Sequence, residues 1–263
     1  MTATGSPTAA ETVANLDGLR RLLAGPELRP LGLGGILLGE GTLEQLPDAV
    51  GRLQESGVVA LLADCRPMEG AGSEVKEGIE RALERSGIRV RRVTVGDGEA
   101  RVHADAETID IASAGCAGSG LIVSVGSGTV ADVGKAVSAR LGTPHVIVQT
   151  AASVNGFADD QSVLLVDGVK RTTETGWPDL LLIDTAVVSR APVRLNRAGL
   201  GDLLATYTAR PTGSSRHSQG RTARTPRPSS LSPARTSTGW WARRPGSVPA
   251  RRRRSRRWPP PSP

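Results

Sequence analysis

Aromatic side chains are almost missing from this 263-residue chain, which has one Phe, one Tyr and four Trp. Only Phe157, Trp177 and Tyr207 precede residue 210, so the core of the first 209 residues must close with aliphatic side chains. Cysteine is as scarce. Cys65 and Cys116 sit singly, which excludes a disulfide framework and a C-x-x-C metal pair. Both are expected to be small buried thiols in a reducing compartment. No apolar run approaches the roughly 20 residues that cross a bilayer. Met1 to Leu23 has no charged start leading into an apolar core, so no signal peptide is expected and the location expected is cytoplasmic.

A sharper absence begins at Arg210. From there to Pro263 the chain has no Asp, Glu, Lys, Ile, Asn or Phe, but fourteen Arg. All 26 acids lie in residues 1–209 beside the other 19 of the 33 Lys and Arg, a net charge of −7. The tail adds +14, giving the total of +7. The pI near 10.5 therefore belongs to the tail and does not argue for a nucleic-acid-binding core. Such a tail cannot bury enough apolar surface to offset its ordering entropy, so disorder is expected from residue 210.

The first 209 residues alternate between two kinds of segment. Gly35–Gly39, Val58–Ala63, Val90–Val95, Leu121–Val125, His145–Gln149 and Leu180–Ile183 read as strands. Most are continuously rather than alternately apolar, the pattern of a parallel strand covered on both faces. Helices are expected from Thr42, over Glu74–Arg85 and Ala106–Ala114, after the Gly126–Thr129 turn, and over Leu195–Thr208. In the fourth of these, Val130, Val133, Val137 and Leu141 form one stripe, Thr129 and Asp132 have capping-box spacing, and Gly142 and Pro144 mark the stop. Ser162–Val166 and Val169–Thr173 around Asp167-Gly168 read as a hairpin. Strand–helix alternation predicts an α/β fold with a parallel sheet.

Three stretches carry chemistry. The turn Gly126-Ser127-Gly128-Thr129, running into Val130, joins a buried strand to a helix. Small residues let a phosphate approach the backbone, and helix amides favour an anion. It is neither G-x-G-x-x-G nor a P-loop, and an empty tight turn explains it equally well on motif strength alone. Thr150-Ala151-Ala152-Ser153-Val154-Asn155-Gly156-Phe157 follows the next strand, placing hydroxyls and an amide where open α/β sheets bind ligands. Gly199-Leu200-Gly201-Asp202 sets one acid in an otherwise apolar helix start, either a helix-terminus charge or a metal-ligand carboxylate.

In this order the three stretches, with Asp167-Gly-Val-Lys-Arg-Thr172, resemble the sn-glycerol-1-phosphate dehydrogenases, within the wider group of dehydroquinate synthases and iron-containing alcohol dehydrogenases. The resemblance runs from about Gly32 to Ala209. It implies a dehydroquinate-synthase-like fold: a leader (1–30), an NAD(P)-binding α/β domain (31–190), the start of an all-helical metal domain (191–209) and the tail (210–263). It implies NAD or NADP, a zinc-type divalent metal, and reduction of dihydroxyacetone phosphate in glycerophospholipid metabolism. Its partner would be a small phosphorylated polyol or ketose, with no membrane, and the reading leaves room for a homo-oligomer. By the same resemblance Gly126, Ser127, Gly128, Thr129 and Val130 hold the cofactor pyrophosphate. Thr150, Ala151, Ala152 and Ser153 line its nicotinamide side, Asp64 meets the adenosine ribose, and Asp159 lies near the cofactor. Asn155 and Asp202 contact substrate, and Asp202 binds metal.

This chain departs from the pattern. The family often has Asp where Asn155 stands and a hydroxyl where Asp159 stands. Two later histidines should join the aspartate, yet His103 and His145 precede Asp202, and His217 lies in Ser/Arg/Gln-rich sequence without a companion. One carboxylate cannot retain a zinc-type ion. The residues of G- and C-rich codons that dominate the tail point to a shifted reading frame, and impaired turnover is expected. Two other readings stand beside this one. The first is a dehydroquinate-synthase-like cyclase using NAD. The second is a non-catalytic protein whose tail binds nucleic acid non-specifically.

Overall fold

The computed structural model describes residues 31–54, 57–68, 74–98 and 102–218. The leader (1–30) and residues 219–263 of the tail lie outside them. In chain order the strands are β1 (Ile36–Gly39), β2 (Val59–Asp64), β3 (Val90–Val95), β4 (Leu121–Gly126), β5 (His145–Gln149), β6 (Gln161–Val166), β7 (Val169–Glu174) and β8 (Leu180–Asp184). The helices are α1 (Leu46–Leu53), entered through a 3-10 turn at Thr42–Gln45, α2 (Glu74–Arg85), α3 (Ala106–Cys116), α4 (Gly128–Leu141), α5 (Thr185–Arg190) and α6 (Val193–Ser218).

Six strands form one sheet in the order β1-β8-β5-β4-β2-β3, all pairs parallel. The expected fold class holds, and the apolar runs explain why. Every residue of β4 and β5 is buried, and so is all of β2 but its last. On one face, Leu46 and Val50 of α1 and Ile79 and Leu83 of α2 join Leu61, Val123 and Val148. On the other, Ile109 and Cys116 of α3 and Val133 and Val137 of α4 join Ala60, Leu62 and Ile122. Successive strand residues thus feed opposite layers. A third cluster gathers Leu33, Ala131, Ile147, Leu181 and Phe157, so the single Phe anchors the loop after β5.

The hairpin stands apart as a two-stranded antiparallel sheet. Asp167 and Gly168 both have positive φ, 51° and 74°, as a two-residue hairpin turn of this hand requires.

Three expectations change. The capping box at Thr129 and Asp132 does not form. The helix starts two residues earlier, its N-cap is Ser127 without a side-chain cap bond, and Asp132 is carried inward to accept the Val163 backbone N–H. Of the two thiols, Cys116 is buried but Cys65 is only half-buried. Burial pushes the Cys116 thiol up to about 12, against the opposing pull of Arg91, so it stays an unreactive core residue. Finally, α6 passes the boundary drawn at Ala209: its backbone runs to Ser218. Propagating a helix costs less than nucleating one, and a turn already formed carries a few more residues with it.

Candidate functional site

The chain leaves β2 for β3 on one side of the sheet and leaves β4 for β5 on the other. The crossover helices follow suit: α2 packs with one core layer and α4 with the other. The carboxyl ends of β2 and β4 therefore flank the point where strand order reverses, the place where open α/β sheets form a ligand crevice. Ala63 is opposite Val125, so Asp64 and the Gly126 turn sit level at this crevice.

Two glycines shape the turn by proximity. A Cβ on Gly126 would lie 2.6 Å from Val130 Cβ, where helix meets strand. On Gly128 it would lie 2.9 Å from Val154 Cγ2, in the neighbouring loop. That loop is tied back to the turn at two points. The Gly128 amide donates to Ser153 Oγ (3.2 Å), and the Thr150 amide donates to Gly126 O (3.1 Å). The turn and the 150–157 loop thus form one rim, with the start of α4 left without a cap from its own N-cap side chain.

The other assigned residues fall into two groups. Asp202, on α6, reaches the same rim: its Oδ2 accepts the Asn155 amide at 2.9 Å, and Asn155 Nδ2 lies 3.5 Å from Thr206 Oγ1. The two residues assigned to substrate are therefore brought together. Asn196, which the sequence did not single out, and Gly199, which it named only as part of the Asp202 stretch, make that docking possible. Asn196 Oδ1 accepts the Ala152 amide (2.9 Å) and its Nδ2 donates to Val188 O (2.8 Å). Gly199 lets α6 lie on the loop, since a Cβ there would be 1.9 Å from Ala152 O. Spacing gives no warning of either.

Asp159 stands beneath the rim, part exposed, and its carboxylate is paired with a buried cation. Its Oδ1 accepts from Lys135 Nζ at 2.7 Å. Lys135 is fully buried and also donates to Gly156 O (2.8 Å) and to Gln161 O. Asp132, 3.9 Å from the same ammonium, is pushed up from 3.8 to about 7, chiefly by burial. Lys135 and the Val163 N–H oppose that shift, and Asp159 adds to it.

This has a measurable consequence. Folded, Asp132 keeps its proton until about pH 7; unfolded, it releases it near 4. Between those values the native state binds more protons, so stability present at low pH is lost as pH rises. The loss is at most about 1.4 kcal/mol per pH unit. Denaturant unfolding from pH 4 to 8 should show this decline in the native chain relative to Asp132→Asn. Parallel pH profiles of the two proteins would contradict it.

A metal fits poorly. Asp202 is exposed, and among the described residues no three His, Cys, Asp or Glu side chains stand together as a ligand group. His145 is a core residue whose Nε2 lies 2.8 Å from Ser124 Oγ, and His103 is exposed. No helix among the described residues is long and apolar enough to cross a membrane. A surface hollow of about 610 Å³ between Val58, Glu84 and Val90 lies at the opposite, amino-terminal ends of β2 and β3, away from the rim.

Known proteins resemble this chain in sequence and in fold. Residues 37–192 match the iron-containing alcohol dehydrogenase family. The glycerol-1-phosphate dehydrogenase [NAD(P)+] of Methanospirillum hungatei is 29% identical over 174 residues, 66% of this chain and 45% of that protein. The enzyme of the same name from Methanocorpusculum labreanum is 33% identical over 176 residues, 66% and 46% of the two chains. Glycerol dehydrogenase from Schizosaccharomyces pombe superposes with a TM-score of 0.56 at 24% identity, covering 66% of this chain and 42% of that one, a likeness of fold. The chain spans about half the length of the curated relatives it matches. Over that span, it belongs to the iron-containing alcohol dehydrogenase family.

Proposed function

We propose that the crevice between β2 and β4 binds NAD or NADP, and that the chain carries the coenzyme half of an sn-glycerol-1-phosphate dehydrogenase. The observation behind this is the glycine turn at the point of strand reversal, set before a helix whose N-cap side chain makes no cap bond and stitched to the next loop. The backbone amides of Ser127, Thr129 and Val130 receive the diphosphate, the Gly128 amide being held by Ser153 Oγ, and the helix end favours its charge. The absence of side chains at Gly126 and Gly128 lets Val130 and Val154 close on the turn, which holds its backbone at the mouth of the crevice. Thr150 to Ser153 border the nicotinamide, and the coenzyme supplies the hydride. The paired Asn155 and Asp202 face the substrate, a small phosphorylated ketose such as dihydroxyacetone phosphate.

The described residues offer a metal one carboxylate, Asp202, so we route no step through a metal. Coenzyme binding is expected without efficient turnover. The loss of every acid after Arg210 supports a shifted reading frame as the origin of the tail. Translating the other frames of a resequenced gene tests that origin: a helical, histidine-bearing continuation in one of them is the expected result.

The functional test is direct. NADH and NADPH are titrated against the full chain, and dihydroxyacetone phosphate reduction is then assayed with added zinc. Saturable binding with slow or no turnover is expected. Absence of binding, under conditions where a full-length relative binds, would falsify the site. Turnover at that relative's rate would overturn the predicted impairment.

A further inference from the structure

A second charged pair sits at the crevice, on the β2 side. Asp64 ends β2 level with Gly126, and its side chain is 28% exposed. The resemblance set out above puts the adenosine ribose at Asp64, where a carboxylate accepts hydrogen bonds from the ribose hydroxyls and repels a 2′-phosphate. Here the carboxylate is not left as a bare negative charge. Lys76 comes from the first turn of α2 with its side chain only 3% exposed. Its ammonium donates to Asp64 Oδ1, to Asp64 O (2.7 Å) and to Arg66 O (2.7 Å). All three of its protons are spent on the end of β2. Arg66, two residues on, is exposed. The corner thus carries two cations against one carboxylate, and the Lys76 ammonium holds the Asp64 carboxylate in place.

We propose that Lys76 sets coenzyme choice in this chain: by neutralising Asp64, it lets the ribose corner accept a 2′-phosphorylated coenzyme as well as an unphosphorylated one. This rests on the coenzyme reading above. Lys76 is a positioning residue, since it acts on the ligand through Asp64. A carboxylate fixed by a buried ammonium still presents oxygen to a ribose hydroxyl, but its field no longer opposes a phosphate a few ångströms away. The exposed guanidinium of Arg66 is the group best suited to meet that phosphate.

The test uses fragments that report on this corner alone. Adenosine 5′-monophosphate and adenosine 2′,5′-bisphosphate are titrated by calorimetry into the full chain, alongside NADH. In the native chain the bisphosphate should bind at least as tightly as the monophosphate. In Lys76→Gln, bisphosphate binding should weaken about tenfold or more while the monophosphate stays within about threefold, the difference one unscreened charge makes. Circular dichroism checks that the variant folds. Should it not, Asp64→Asn answers the same question from the other side, because removing the carboxylate should favour the bisphosphate by about tenfold relative to the monophosphate. A native chain that rejects the bisphosphate a hundredfold, or a folded variant whose ratio does not move, overturns the proposal and leaves the coenzyme site standing. If NADH and both fragments fail to bind, the coenzyme reading itself falls.

Discussion

Replacing Lys135 by Met should lower the unfolding free energy by about 2–3 kcal/mol, the order of cost when a buried donor that satisfies several acceptors is removed. Methionine keeps most of the length and volume of the side chain, so the loss isolates the ammonium. That group is fully buried and donates to Asp159 Oδ1, Gly156 O and Gln161 O, with Asp132 at 3.9 Å. Without it, two backbone carbonyls beneath the rim lose their donor, and Asp132 loses the cation that offsets its burial. Asp159 is 42% exposed and can turn toward water, so Asp159→Asn should cost far less, on the order of 1 kcal/mol. Urea titration measures both. The midpoint of Lys135→Met should fall while the slope is unchanged, as befits a change in stability and not in exposed surface. A shift no larger than that of Asp159→Asn would show that the ammonium is replaceable.

Lys135 also shows where sequence reading stops. A lysine in a helix normally signals the solvent face, and nothing in the spacing of α4 marks this one as internal. Its partners lie 21 to 26 residues on, in a loop whose path depends on Phe157 entering the third core cluster. The sequence marked Asp159 as a stray charge near the coenzyme; the fold spends that charge on Lys135. Local pattern misled in the same helix. Thr129 and Asp132 have the spacing of a capping box, but packing against β6 pulls Asp132 inward and leaves the cap to Ser127.

The sheet was far more legible, because burial on two faces demands uninterrupted apolar strands. Val90–Val95, His145–Gln149 and Glu74–Arg85 have the bounds read from the sequence, and the other strands differ by a residue at one or both ends. Strand order is another matter. Nothing in the composition of β4 says that it lies between β2 and β5, yet that placement brings Asp64 level with the Gly126 turn. The chemistry-bearing loops could be named from their residues. Which of them touch could not, since Asn196 and Ala152 are 44 positions apart.

Gly199→Val should detach α6 from the rim without unfolding the protein. The valine Cβ would stand 1.9 Å from Ala152 O, a backbone atom that cannot swing aside, so the helix must move by more than an ångström. Two bonds that span helix and loop go with it: Asn196 Oδ1 to the Ala152 amide and Asp202 Oδ2 to the Asn155 amide. Global stability should change by no more than about 1 kcal/mol, because Leu200, Leu203, Leu204 and Tyr207 are exposed and add little buried surface. Native-state hydrogen exchange reads the local effect. The Ala152 and Asn155 amides should lose their protection by an order of magnitude or more, while the amides of β4 and β5 keep theirs. Gly201→Ala supplies the contrast within the same helix. A Cβ there meets nothing within 4 Å, and alanine favours a helix over glycine by up to about 1 kcal/mol. That variant should leave both amides protected. If Gly199→Val left them protected as well, α6 would not be held by this contact, and the pairing of Asn155 with Asp202 would lose its structural basis.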